Sequence, residues 1–127
     1  MSEWLLVAGG GAVGAVARLA VSGFVQKRVG AGFPLGTLVV NVLGCLLLGV
    51  VMEVVVEREL FSPRVRALVA VGLLGSFTTF STFGYETLEL LRSGAWPSAL
   101  ANVGLNVVVG LLAVLSGILL VRGVLDG

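Results

Sequence analysis

Apolar residues run through this chain in four long stretches, roughly 4–25, 37–56, 65–91 and 95–121, parted only by short polar or glycine- and proline-bearing breaks. Each reaches the ~20 residues that a helix rising ~1.5 Å per residue needs to cross ~30 Å of hydrocarbon. The pattern predicts an all-α membrane protein, a single domain over 1–127 with four transmembrane helices and little chain left for anything outside the bilayer. No repeat, low-complexity tract or linker divides it. The first stretch is expected to stay as a span and not be removed as a secretory signal. It opens on Glu3 instead of a basic cluster and passes Arg18 without an evident cleavage site.

Polar and small residues inside the stretches carry the rest of the information. In the first, Gly10 and Gly14 lie four apart, which lets another helix approach closely. Arg18 follows one turn later, and a guanidinium at that depth needs carbonyls, an acid or water. It reads either as a structural tether to neighbouring carbonyls or as a positive charge near an anion entrance. Residues 29–36 read as a turn, after which Thr37 is placed to cap the second helix and Asn41 falls on the same face. Glu53, Glu57, Arg58 and Glu59 read as a solvated helix end and loop, with Pro63 starting the third helix.

The third stretch contains Gly75-Ser76-Phe77-Thr78-Thr79-Phe80-Ser81-Thr82-Phe83, which anchoring in lipid does not call for. Glycine and crowded hydroxyls weaken helix continuity, and unwound backbone in a membrane is tolerated only where protein buries it or it lines a cavity. The third helix is therefore expected to break near its middle, after Ala67 through Leu74 as an ordinary helix, and to resume near Thr79. Carbonyls exposed by such a break can hold a cation. Beyond it Phe80 and Phe83 share a face that Glu86 continues, interleaved with Ser81 and Thr82. Hydroxyl donors set between rings with electropositive edges suit a dehydrated path for a small anion. In the last stretch Asn102 and Asn106 are one i,i+4 step apart, and either interhelical hydrogen bonding or pore lining accounts for them.

Composition agrees with a lipid solvent: 57% hydrophobic and 12% charged in 127 residues. The single Cys45 excludes an intrachain disulfide. There is no histidine, no nucleophile with a base, no phosphate loop and no basic patch for nucleic acid, so the residues point away from an enzyme. If the spans alternate, Arg58, Arg64, Arg66 and Arg122 fall on one face and Lys27, Arg28 and Arg92 on the other. Four against three gives little instruction for orientation, which permits insertion both ways and pairing of opposed copies; unequal weighting of the arginines is the alternative.

Taken together, the Gly10, Gly14, Ala15 and Arg18 pattern, the run Pro34-Leu35-Gly36-Thr37-Leu38-Val39-Val40-Asn41 and the run from Gly72 to Phe83 resemble the Fluc (CrcB-type) fluoride channels over nearly the whole chain. The resemblance implies a passive fluoride channel in a bacterial-type cytoplasmic (inner) membrane, built as a dual-topology homodimer with an oppositely oriented copy. It also implies two pores and a structural sodium ion at the dimer axis. On the matching positions it puts sodium on the carbonyls of Gly75 and Thr78, the flanking rings at Phe80 and Phe83, and the pore amide at Asn41. Thr37, Ser81 and Thr82 match hydroxyls near the path, and Glu86 an acid near its mouth. Asn102 and Asn106 stand where the family often carries tyrosine or serine. The rival readings are a small four-helix multidrug/proton exchanger, which needs a titratable acid in mid-membrane, and a passive subunit of a larger membrane complex.

Overall fold

The computed structural model describes residues 2–127, and its regular elements are all helical. Four helical spans are long and apolar enough to cross a membrane, which makes this a multi-pass membrane protein. They are α1 (Glu3–Val29), α2 (Leu35–Glu57), an interrupted third span, Pro63–Arg92, and a last span, Trp96–Asp126. The third consists of α3 (residues 63–77) and α4 (Phe80–Arg92), and the last is named α5. The first three run past the apolar stretches at both ends, and the last starts one residue later than its stretch and runs on to Asp126.

Ends are finished by residues of the expected kinds, with one exchange of roles. Ser2 accepts from the Leu5 N–H at the start of α1, and Lys27 and Arg28 occupy its last turn, where cations suit the helix dipole. Thr37 does not cap α2, contrary to the expectation from its position. Helix α2 begins earlier, at Leu35, and the Gly36 N–H is taken at 3.0 Å by Oε1 of Gln26, reaching across from α1. The same carboxamide donates to the carbonyls of Gly30 and Phe33, so one side chain ties down the α1–α2 turn. That frees the Thr37 hydroxyl for another partner.

Helix packing follows the small residues. Helix α1 lies along α3, and α2 lies along the C-terminal part of α5. A Cβ on Gly14 would strike the Leu73 carbonyl, and one on Gly117 would strike that of Leu46, so the backbones touch directly at both crossings. Ala67 through Leu74, expected as ordinary α-helix, lies in the stretch Arg66–Leu74, which is wound wider, with π-type turns, and against which α1 makes this close approach. Similar wide turns occur at Glu53–Glu57 and Leu105–Val109.

At the end where α2 and α5 finish together, Glu53 corrects the reading of a solvated helix end. It is buried, 3% exposed, because Arg122 at 3.0 Å and Arg58 at 3.4 Å enclose its carboxylate. Arg58 also grips Asp126 with two 2.6 Å bonds, and that partner raises the guanidinium's already high pKa. Only Glu57 and Glu59 behave as the solvated residues expected.

Candidate functional site

The break in the third span is made by a side chain from another helix. Residues 75–77 are helical, Thr78 and Thr79 are extended, and helix resumes at Phe80. An unbroken helix would bond the Thr79 N–H to the carbonyl of Gly75. Instead that N–H donates at 2.8 Å to Oδ1 of Asn41 on α2. Asn41 Nδ2 donates back to the Thr79 carbonyl at 3.1 Å, so the amide pairs with both faces of one residue's backbone. Thr79 then caps α4, its Oγ1 accepting from the Thr82 N–H at 3.1 Å. Hydroxyls of Thr82 and Ser81 stand 3.0 and 3.4 Å from that same oxygen.

From Asn41 a line of amides leads into α5. Asn41 Nδ2 donates to Asn106 Oδ1 at 3.0 Å. Asn106 Nδ2 donates to both the carbonyl and the Oδ1 of Asn102, at 2.8 and 3.0 Å. Asn102, only 1% exposed, donates to the Thr87 hydroxyl at 2.9 Å, and that hydroxyl donates to the Phe83 carbonyl at 2.7 Å. The two asparagines of α5 are thus bonded to each other and to α2 and α4. Both asparagines stand out in the sequence; Thr87 does not, and its signal is its place one helical turn after Phe83.

Beside this line lies a groove of about 280 Å³ bordered by Asn41, Thr78, Thr79, Phe80, Phe83 and Asn106, with apolar residues of α2 and α3 opposite. The rings of Phe80 and Phe83 lie 5.6 Å apart, tilted by 57°. They are not equivalent: Phe83 is 8% exposed and Phe80 is 83% exposed, on the open side of the groove. The groove's lining is mostly apolar, with the amides and hydroxyls as its few polar groups.

A second cavity, about 360 Å³, lies across the break and is bordered by Arg18, Ser22, Thr37, Thr79 and Thr82. Arg18 makes no hydrogen bond or ion pair to another described residue, and it borders this cavity together with the three threonines. Thr37 donates to Glu86 Oε1 at 2.6 Å, while the buried Oε2 of Glu86 has no hydrogen-bond partner among the described residues. The structure therefore gathers Asn41, Thr78, Phe80, Phe83 and Asn106 around one groove and joins Asn102 to it by hydrogen bonds. Arg18, Thr37 and Thr82 lie on the other side, with Glu86 reached through Thr37.

The chain matches the family model described as CrcB-like protein, Camphor Resistance (CrcB), over residues 5–118. It is similar to a fluoride-specific ion channel FluC of Sorangium cellulosum, 42% identical over 127 residues that cover all of both chains. It is also similar to the fluoride-specific ion channels FluC of Shewanella woodyi and Shewanella loihica. The first is 50% identical over 84% of this chain and 85% of the relative; the second is 47% identical over 92% and 94%.

Proposed function

This chain belongs to the CrcB-like family, and on that premise we propose that it is a passive, fluoride-selective ion channel of a bacterial cytoplasmic membrane. The observation that carries the reading is the groove beside the broken third span, which amides, hydroxyls and two phenyl rings border together. Fluoride holds water tightly, so a selective route must replace several waters at once. Amide and hydroxyl hydrogens and positive ring edges supply such replacements, and larger halides are poorly compensated. Because both hydrogens of Asn41 Nδ2 are engaged, fluoride passing there takes one over from Asn106 Oδ1 or the Thr79 carbonyl.

Assembly as an antiparallel homodimer with two pores would cover what one chain leaves exposed. Gly75 is exposed, its usual donor has gone to Asn41, and Phe80 projects from the flank. Lipid cannot satisfy free carbonyls, which favours closure of this side by another protein surface. The near balance of basic residues between the two faces allows that surface to be an inverted second copy.

The break also suits a structural sodium ion. The Gly75 carbonyl lacks its i+4 partner, and the Thr78 carbonyl accepts no backbone hydrogen bond in the described residues. Both are the neutral oxygens that hard cations take. Gly75 and Thr78 would hold the ion, which supplies positive charge beside an anion route. The exchanger reading needs a mid-membrane acid, yet Glu53 is bound between two arginines near a span end and Glu86 lies beside Thr37 in the half of the molecule near the α1–α2 turn.

Direction needs no pump, because a negative-inside potential drives a monovalent anion outward by about 2.3 kcal/mol per 100 mV. Liposomes holding fluoride or chloride, with potassium and valinomycin to carry compensating charge, test the function. Fluoride leaves and chloride stays, without a proton gradient. Equal release of both, or release only under a pH gradient, overturns the proposal.

A further inference from the structure

We propose that Thr87 and Asn102 are positioning residues that decide which way the Asn41 carboxamide faces, an inference that rests on reading Asn41 as part of the anion path. A carboxamide has nearly the same shape at both ends, so its neighbours determine which end presents N–H. Thr87 has one hydroxyl hydrogen and commits it to the Phe83 carbonyl at 2.7 Å. It can therefore only accept from Asn102, which must turn Nδ2 toward it, at 2.9 Å.

Asn102 Oδ1 then faces Asn106, where together with the Asn102 carbonyl it takes both Asn106 hydrogens, at 3.0 and 2.8 Å. Asn106 is left with only Oδ1 to show to Asn41, at 3.0 Å. Asn41 must answer with Nδ2, which sets its Oδ1 against the Thr79 N–H at 2.8 Å. The hydrogen bonds run in one direction from the break to Phe83, each fixing the next. Asn102 is 1% exposed, so water does not stand ready to replace a missing partner.

Without the Thr87 hydroxyl, Asn102 Nδ2 has no acceptor. Rotation of the amides in turn is the relief open to the ladder, and it would bring Asn41 Nδ2 against the Thr79 N–H, donor against donor. The break would then lose the acceptor that holds it. Thr87 acts on Asn41 through two intervening amides and touches neither ion.

Asparagine occurs only at 41, 102 and 106, so protein labelled with ¹⁵N-asparagine yields three side-chain amide pairs. In Thr87→Val, which keeps shape and removes the hydroxyl, the Asn41 pair shifts and loses protection from hydrogen exchange. Thr87→Ser restores both. Thr87→Ala, a better helix former, gives the same reading where the valine protein does not fold. Fluoride efflux per folded protein falls about tenfold in the valine and alanine proteins, the factor that one lost partner worth ~1.4 kcal/mol represents. It returns in the serine protein. Asn41 signals unmoved by loss of the hydroxyl overturn the relay whatever the transport does. Wild-type protein that passes no fluoride, yet whose Asn41 signals respond as described, refutes the channel reading and leaves the relay standing.

Discussion

Asn41→Asp keeps the outline of the side chain and changes only what it presents. One oxygen still accepts the Thr79 N–H, now 2.8 Å away, so the break retains its cap. The other end becomes an oxygen set against the Thr79 carbonyl and Asn106 Oδ1, at the 3.1 and 3.0 Å where amide hydrogens now lie. Each of those two lost bonds costs about 1–3 kcal/mol in a partly buried setting. Asn106 cannot turn to compensate, because Asn102 holds both its hydrogens.

Transport meets a separate and larger penalty. An anion about 4 Å from the new carboxylate is repelled by about 4 kcal/mol at an effective dielectric constant near ~20. At ~1.4 kcal/mol per factor of ten, fluoride efflux from liposomes should fall about a thousandfold. A fluoride electrode measures this directly, with elution volume checking that assembly is unchanged. Hydrogen exchange at the Thr79 amide separates the two roles of the residue. Protection should persist in Asn41→Asp, which keeps the acceptor, and drop in Asn41→Leu, which lacks it. Efflux within a few-fold of wild type in the aspartate protein would remove Asn41 from the ion route.

Three further changes address other parts of the molecule. Phe80→Ile removes an aromatic ring that borders the groove and should lower fluoride efflux by at least tenfold, about 1.4 kcal/mol; unchanged efflux means that Phe80 packs only against lipid or partner. Gly14→Val drives a side chain into the Leu73 backbone and should destabilise the fold by about 1–3 kcal/mol, read as a lower thermal midpoint. A midpoint equal to wild type would mean that α1 and α3 are not in direct contact. Glu53→Gln leaves Arg122 and Arg58 without the carboxylate they share, so the thermal midpoint falls while fluoride selectivity persists; lost selectivity would place this cluster on the ion route.

The four spans could be read from the letters because hydrophobic length is a local property, and residues such as Asn41 stood out because an amide in apolar sequence has nowhere else to go. The resumption of helix at Phe80 was foreseeable for the same reason, since Thr79 carries its own capping oxygen to Thr82. What the pattern could not supply were partners far along the chain. Glu53 looked like a solvated helix end because Arg122, 69 residues later, is invisible to any local window. Thr37 looked like a cap until Gln26 took that role from the preceding helix. Glycine and crowded hydroxyls weaken the helix at the break, and the structure adds a competing acceptor from α2.

That competing acceptor gives the break a polarity. Asn41 absorbs the Thr79 N–H, and Thr79 absorbs the Thr82 N–H, so two donors at the junction are answered from within the chain. The carbonyl of Gly75 is deprived of its donor by the same exchange. Ahead of it, Phe80 and Ser81 open α4 with N–H groups that have no carbonyl of their own helix to meet. The end of α3 therefore presents oxygen and the start of α4 presents hydrogen, as opposed helix ends do when a span is interrupted in mid-membrane. On the channel reading, the first side would suit a cation and the second an anion. The amide on α2 accounts for the Gly75 carbonyl's lost donor, and the start of α4 accounts for the free N–H groups, so on the channel reading Asn41 would act on the cation side through the break and on the anion side through its own Nδ2.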